Sequence, residues 1–168
     1  TFFAVMMGLL GLALSTAAAE RAAGSSGEFS QFTLGAAVAV FAVLAAFYIL
    51  KLVRHPAAVR AEWNHPVRIA FFPTISISLL LLGTALVPRI PDTAFVIWSI
   101  GLVGQGILSL SVIANWIGHR TFQPLHLSPA WFIPAVGNVL VPLAGVGFGV
   151  IELSWLFFSA GLLFWIVL

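Results

Sequence analysis

A chain of 168 residues with 7% charged and 61% hydrophobic side chains cannot cover a soluble surface, since soluble domains carry roughly 25% and 45–50%. Its isoelectric point near 10 rests on a net charge of only +2, which gives no basis for nucleic-acid binding. The lack of cysteine excludes disulfides, thiolate metal sites and cysteine catalysis. An all-α, polytopic membrane protein remains.

The charges punctuate the chain into apolar runs, and a bilayer crossing needs about 20 apolar residues. The first run predicts a helix over about 2–19, carrying Gly8, Gly11, Ser15 and Thr16. Its end, Ser15-Thr-Ala-Ala-Ala-Glu20, matches the small-residue pattern of a signal-peptidase site, but no basic stretch precedes it. A second helix over about 30–51 is mainly Ala, Val, Leu and Phe. The third, about 69–87, carries Pro73, Thr74, Ser76, Ser78, Gly83 and Thr84. The fourth, about 93–117, holds Gly101, Gly104 and Gly106, a small-residue set that suits close helix packing. The fifth, about 130–149, contains Pro134, Gly137, Asn138, Pro142 and Gly145. The sixth, about 153–168, stops inside apolar sequence, and the chain opens without methionine, so a longer chain is expected at both ends.

Short connections around 20–29, 88–92 and 150–152 pair these spans into three helical hairpins. The odd members are polar and the even members greasy, so odd helices are expected to line a path and even helices to face lipid. Lys51, Arg54, Arg60, Arg68 and Arg120 fall on one side, while Arg21 and Arg89 share the other with Glu20, Glu28, Asp92 and Glu152. Because basic residues collect on the cytoplasmic side, this bias predicts a cytoplasmic N-terminus in a cell membrane.

The stretch 129–145 is the most unusual. Pro142 lies well inside it, removes a backbone donor and is expected to leave the carbonyl of Asn138 without its helical partner. In hydrocarbon such a carbonyl costs several kcal/mol, so broken backbone faces protein or water. A half-helix beyond a proline turns free N–H groups and a positive dipole end toward an anion, a milder attraction than a fixed arginine. Plainer readings stand beside this one. Pro73 and Pro134 sit where first-turn prolines do, Ser76 and Ser78 are able to bond back to their own helices, and Asn138 suits interhelical bonding.

His55, His65, His119 and His126 all fall in connections on one side and have no facing pair, so neither metal nor haem nor any other cofactor is expected. No Asp, Glu, His, Lys or Cys lies at mid-span, which argues against intramembrane catalysis and against a proton relay within these helices.

The string Arg60-Ala-Glu-Trp-Asn-His-Pro-Val-Arg-Ile-Ala-Phe-Phe72 resembles the loop and third-helix start of the tellurite-resistance/dicarboxylate-transporter family. That family includes the bacterial tellurite-resistance channel homologue and the plant slow-type anion channels. Phe3-Ala-Val-Met-Met-Gly-Leu-Leu-Gly-Leu-Ala13 is similar to its first helix, and 129–145 followed by Trp155-Leu-Phe-Phe-Ser-Ala-Gly-Leu-Leu-Phe-Trp165 continues the likeness. The resemblance implies a ten-helix, five-hairpin protomer with odd helices around a pore, assembled as a homotrimer, of which this chain supplies three hairpins. It implies passage of small anions such as chloride or nitrate, or of dicarboxylates. It also implies a gating phenylalanine in a ninth helix beyond this chain, with Phe71 and Phe72 as candidates for a second constriction. The prolines some members carry in the first helix are absent.

The expected pore-lining set is therefore Gly8, Phe71, Phe72, Pro73, Ser76, Ser78, Pro134, Asn138 and Pro142. A proton-coupled dicarboxylate symporter or exporter is the alternative function, because coupling residues are able to sit in the remaining helices. A scaffold without transport would show no flux.

Overall fold

A computed structural model describes residues 2–65, 67–118 and 129–167. Helix α1, Ala4–Ala23, ends where Gly24 turns left-handed at φ 64°, letting the Ser25 N–H reach the Glu20 carbonyl at 3.0 Å. Only glycine adopts that backbone without strain. Helix α2, Glu28–Arg54, lacks a capping side chain of its own. The Glu20 carboxylate supplies one across the hairpin, accepting from the amides of Phe29 and Ser30 at 3.0 Å each. Those are donors that a helix start leaves free.

The connection after α2 holds a short helix the sequence did not announce, α3 over Pro56–Trp63, opened by a first-turn proline. Lys51 and Glu62 bind α3 back onto α2 through a 2.7 Å ion pair. The Trp63 ring stands edge-on to Phe72, 4.9 Å between centroids. His65 Nδ1 accepts from the amides of Val67 and Arg68, closing the bend that leads into the next span.

A 3-10 turn, Arg68–Phe71, runs into α4, Pro73–Leu86, and together they form one apolar stretch of 19 residues. This stretch is the centre of the fold. In its most apolar window 72% of residues are buried, against 6% for α2. Helix α5, Pro91–Gly118, packs along α4 through missing side chains. A Cβ on Gly101 would lie 2.8 Å from the Leu80 nitrogen, and one on Gly83 would lie 2.7 Å from Trp98 Cβ. Trp98, 1% exposed, fills the space between Gly83 on α4 and Gly145 further along the chain.

The predicted fifth span is broken. A 3-10 turn at Pro129–Trp131 leads into α6, Phe132–Val139; the chain then tightens and restarts as α7, Pro142–Gly145. The expected unpaired carbonyl of Asn138 is corrected here: the Val141 N–H reaches it at 3.3 Å, one residue short of the helical spacing. Tightening to an i+3 bond is the usual way a helix end satisfies a carbonyl that proline has stripped of its donor. The span ends at Gly145 instead of residue 149, because Gly149 at φ 78° closes a turn into α8, Ile151–Val167. Gly161 seats α8 on α6, where a Cβ would stand 2.7 Å from Val139 Cγ2.

Four stretches are long and apolar enough to cross a bilayer: α1, α2, 68–86 and α5. The arms of the third hairpin, 129–145 and 151–167, are shorter apolar helices. At about 1.5 Å per residue each is close to 25 Å long, near the lower limit for a hydrocarbon core of about 30 Å. Large apolar side chains stand out from α2, α5 and α8, with Phe32 73% and Trp155 64% exposed. Continuous apolar belts of this kind suit lipid and not water.

Candidate functional site: a buried polar node beside a broken helix

The break between α6 and α7 is backed by polar groups from three helices. Gln105, on α5 and 0% exposed, lies at their centre. Its carboxamide nitrogen donates to the Pro134 carbonyl at 3.0 Å and to Ser109 Oγ at 2.9 Å, with Asn138 Oδ1 at 3.2 Å. Ser109 Oγ stands 3.2 Å from the same Asn138 oxygen and supplies its proton there. On the other side Gln105 Oε1 accepts from Ser76 Oγ at 2.6 Å, a proton Ser76 shares with the Pro73 carbonyl at 2.8 Å. Gln105 thus joins α4 to α6 through α5. Gly137 makes this approach possible, since a Cβ there would overlap the carboxamide.

Of the nine residues singled out from sequence, this node gathers Ser76, Asn138 and the carbonyls of Pro73 and Pro134. Pro73 is the first residue of α4 and Pro134 lies in the first turn of α6, the plainer of their two readings. Ser78 sits elsewhere, fully buried, its hydroxyl donating to the Thr74 carbonyl at 2.7 Å. Thr74 and Thr84 bond back in the same way, to Phe71 and Leu80. A hydroxyl has one proton, so these side chains mainly present oxygen lone pairs, although Ser78 Oγ also stands 3.5 Å from the Phe3 carbonyl at the start of α1. Phe72 is buried against Trp63 and Phe71 is half-buried. Gly8 lies on the open face of α1, with nothing within 4 Å of an added Cβ. Pro142, half-buried, borders a groove of about 350 Å³ with Val146, Ser154, Trp155 and Phe158.

Sequence reasoning missed Gln105. The available signal was a long amide inside an otherwise apolar span, flanked by Gly101, Gly104 and Gly106 and followed four residues later by Ser109. Asn138 was singled out on the same criterion. Among the described residues no group of His, Asp or Glu is placed to hold a metal ion. His119, His126 and Arg120 lie outside the described residues.

Greasy outer helices around a buried, internally bonded α4 and a broken α6–α7 define a multi-pass helical membrane protein. The whole chain, residues 1–168, matches the SLAC1 family, described as voltage-dependent anion channel, and the protein belongs to that family. The family is one of anion channels, not enzymes. Over 168 residues the chain is 31% identical to the tellurite resistance protein TehA homolog of Haemophilus influenzae, covering 99% of this chain and 51% of that protein. It is 31% identical over 134 residues to an S-type anion channel of Arabidopsis thaliana, covering 78% of this chain and 21% of that one. An uncharacterized transporter of Methanocaldococcus jannaschii is 32% identical over 111 residues, 64% of this chain and 32% of the relative. The chain thus spans about half or less of the length of these relatives.

Proposed function

We propose that this chain supplies three hairpins of a longer protein that conducts small anions across a cell membrane. Helices α1, α4 and α6–α7 border the path, and α2, α5 and α8 separate it from lipid. The observation that carries this reading is the match of the entire chain to an anion-channel family. The burial contrast between α4 and α2 supports the placement of the helices. In the proposal, Gly8 leaves width on α1, Phe71 and Phe72 narrow the end near α3, and Pro142 interrupts the wall. The Gln105 node, with Ser76, Pro73, Pro134 and Asn138, holds that interruption in place; Ser78 ties α4 to itself. The end bearing Lys51, Arg54, Arg60 and Arg68 is taken as cytoplasmic. Ten helices and a trimer complete the proposal, with chloride, nitrate or dicarboxylates as the permeating class.

Within these three hairpins, charge placement favours a channel over a proton-coupled dicarboxylate carrier, whose coupling residues would have to sit in the remaining helices. Among the described residues no titratable side chain lies at mid-span, and an intramembrane relay requires one. Reconstituted full-length protein separates the two. A reversal potential that ignores an imposed proton gradient supports the channel, whereas one that moves with that gradient makes the protein a carrier.

Pro142→Ala returns an amide able to bond the Asn138 carbonyl, so α6 and α7 are expected to fuse into one helix. Anion conductance of the full-length variant should change by more than about twofold as the wall straightens at this point. Single-channel recording checks this, and an unchanged conductance removes the break from the conduction path.

A further inference from the structure

At the end of the bundle opposite Lys51 and Arg54, α1, α4 and α7 meet the first turns of α2, with Ser30 and Leu34, around a cavity of about 540 Å³. Leu14 and Ala17 of α1, Thr84 of α4 and Leu143 of α7 line it, and Arg21 and Arg89 lie at its rim with Glu20. Neither arginine is paired with a carboxylate; among the described residues the ion pair is Lys51–Glu62. Arg21 uses its Nε–H on the Ala17 carbonyl at 3.0 Å, which leaves the remaining guanidinium donors of its fork available. The one acid in the lining is already engaged, since both Glu20 oxygens accept from amides at the start of α2. The positive end of that helix offsets its charge. The lining thus holds two arginines against one engaged carboxylate, with Glu28 and Asp92 in the neighbouring connections. The topology rule does not account for these two arginines, because they stand at the end where basic residues are scarce.

We propose that this cavity is a vestibule that gathers small hydrated anions at the mouth opposite α3, with Arg21 and Arg89 as a diffuse attracting pair. The inference rests on the anion-conduction reading and adds to it where the anion is first collected and how it is held. A volume of about 540 Å³ far exceeds the roughly 10–15 Å³ one water needs, which leaves room for an anion together with its water shell. Two arginines that do not clamp it bidentately concentrate it without trapping it. Charges lining a low-dielectric cleft raise local counter-ion concentration and association rates by roughly tenfold or more. Weak holding is what rapid passage requires.

The test uses the full-length protein in planar bilayers, with chloride supplied from the vestibule side. Arg21→Gln combined with Arg89→Gln should lower chloride current about threefold or more at about 10 mM salt, where the screening length is near 30 Å. At about 1 M salt that length is near 3 Å, and the difference should narrow to less than about twofold. The Arg21→Lys, Arg89→Lys pair should keep the low-salt current, because the field and not the fork is required. Equal currents at low salt overturn the vestibule, as does a loss of the same size at both salt concentrations, which marks structural damage. Absence of anion current from the unaltered protein overturns the conduction reading and this inference with it.

Discussion

Replacing Gln105 with leucine should lower the unfolding free energy of the full-length protein by about 2 kcal/mol while leaving its helix content unchanged. Leucine is close to glutamine in volume, so the loss is polar. An unsatisfied buried group costs about 1–3 kcal/mol in a soluble core, whereas interhelical hydrogen bonds in membranes average about 0.6. The lower scale applies, because Ser76 keeps the Pro73 carbonyl and Ser109 keeps Asn138 after the change. Gln105 touches Ser76, Ser109, Pro134 and Asn138, and contacts of that average size together reach about 2 kcal/mol. Denaturant unfolding in detergent measures it. Asn138→Leu should then cost less in the Gln105→Leu background than alone, the signature of two residues in one network. Strictly additive costs would mean that the node does not act as a unit.

A larger effect is expected at Gly101. Its added Cβ would meet the Leu80 nitrogen at 2.8 Å and Leu79 Cβ at 3.0 Å. Backbone cannot swing aside as a side chain does, so Gly101→Val must push α5 away from α4, the most buried span of the fold. Overpacking costs about 1–3 kcal/mol where neighbours yield, and more than about 3 is expected here. Gly104 is the internal control, since its Cβ would rest 3.4 Å from Ser76 Cβ. Gly104→Ala should stay within about 1 kcal/mol. Comparable unfolding curves for the two variants would contradict the close α4–α5 seam.

These two residues also show where sequence reasoning reaches and where it stops. The four long spans followed from the placement of charges, because the cost of burying a charge acts locally along the chain, whereas the fifth ends early at Gly145. The break at Pro142 was legible for the same reason: a missing N–H is a property of one residue. Its remedy was not, because the Val141 amide reaches Asn138 only after the backbone tightens by a residue. Gln105 stayed hidden since its partners lie on α4 and α6, 29 to 33 positions away in the chain. The local signal, an amide among glycines with Ser109 four residues on, gives no partner across the bundle. Helix α3 escaped notice because it is short and polar, and is held by Lys51 on α2 and by the ring of Phe72. The glycines of α5 were assigned to packing from their spacing, yet only the fold separates Gly101, which cannot change, from Gly104, which can.

The claim that anions cross through the longer protein is tested most directly by its reversal potential. Under a tenfold potassium chloride gradient in planar bilayers, the full-length protein should reverse near the chloride equilibrium potential, about 59 mV in magnitude. Reversal at the potassium value, or at zero, would contradict anion conduction.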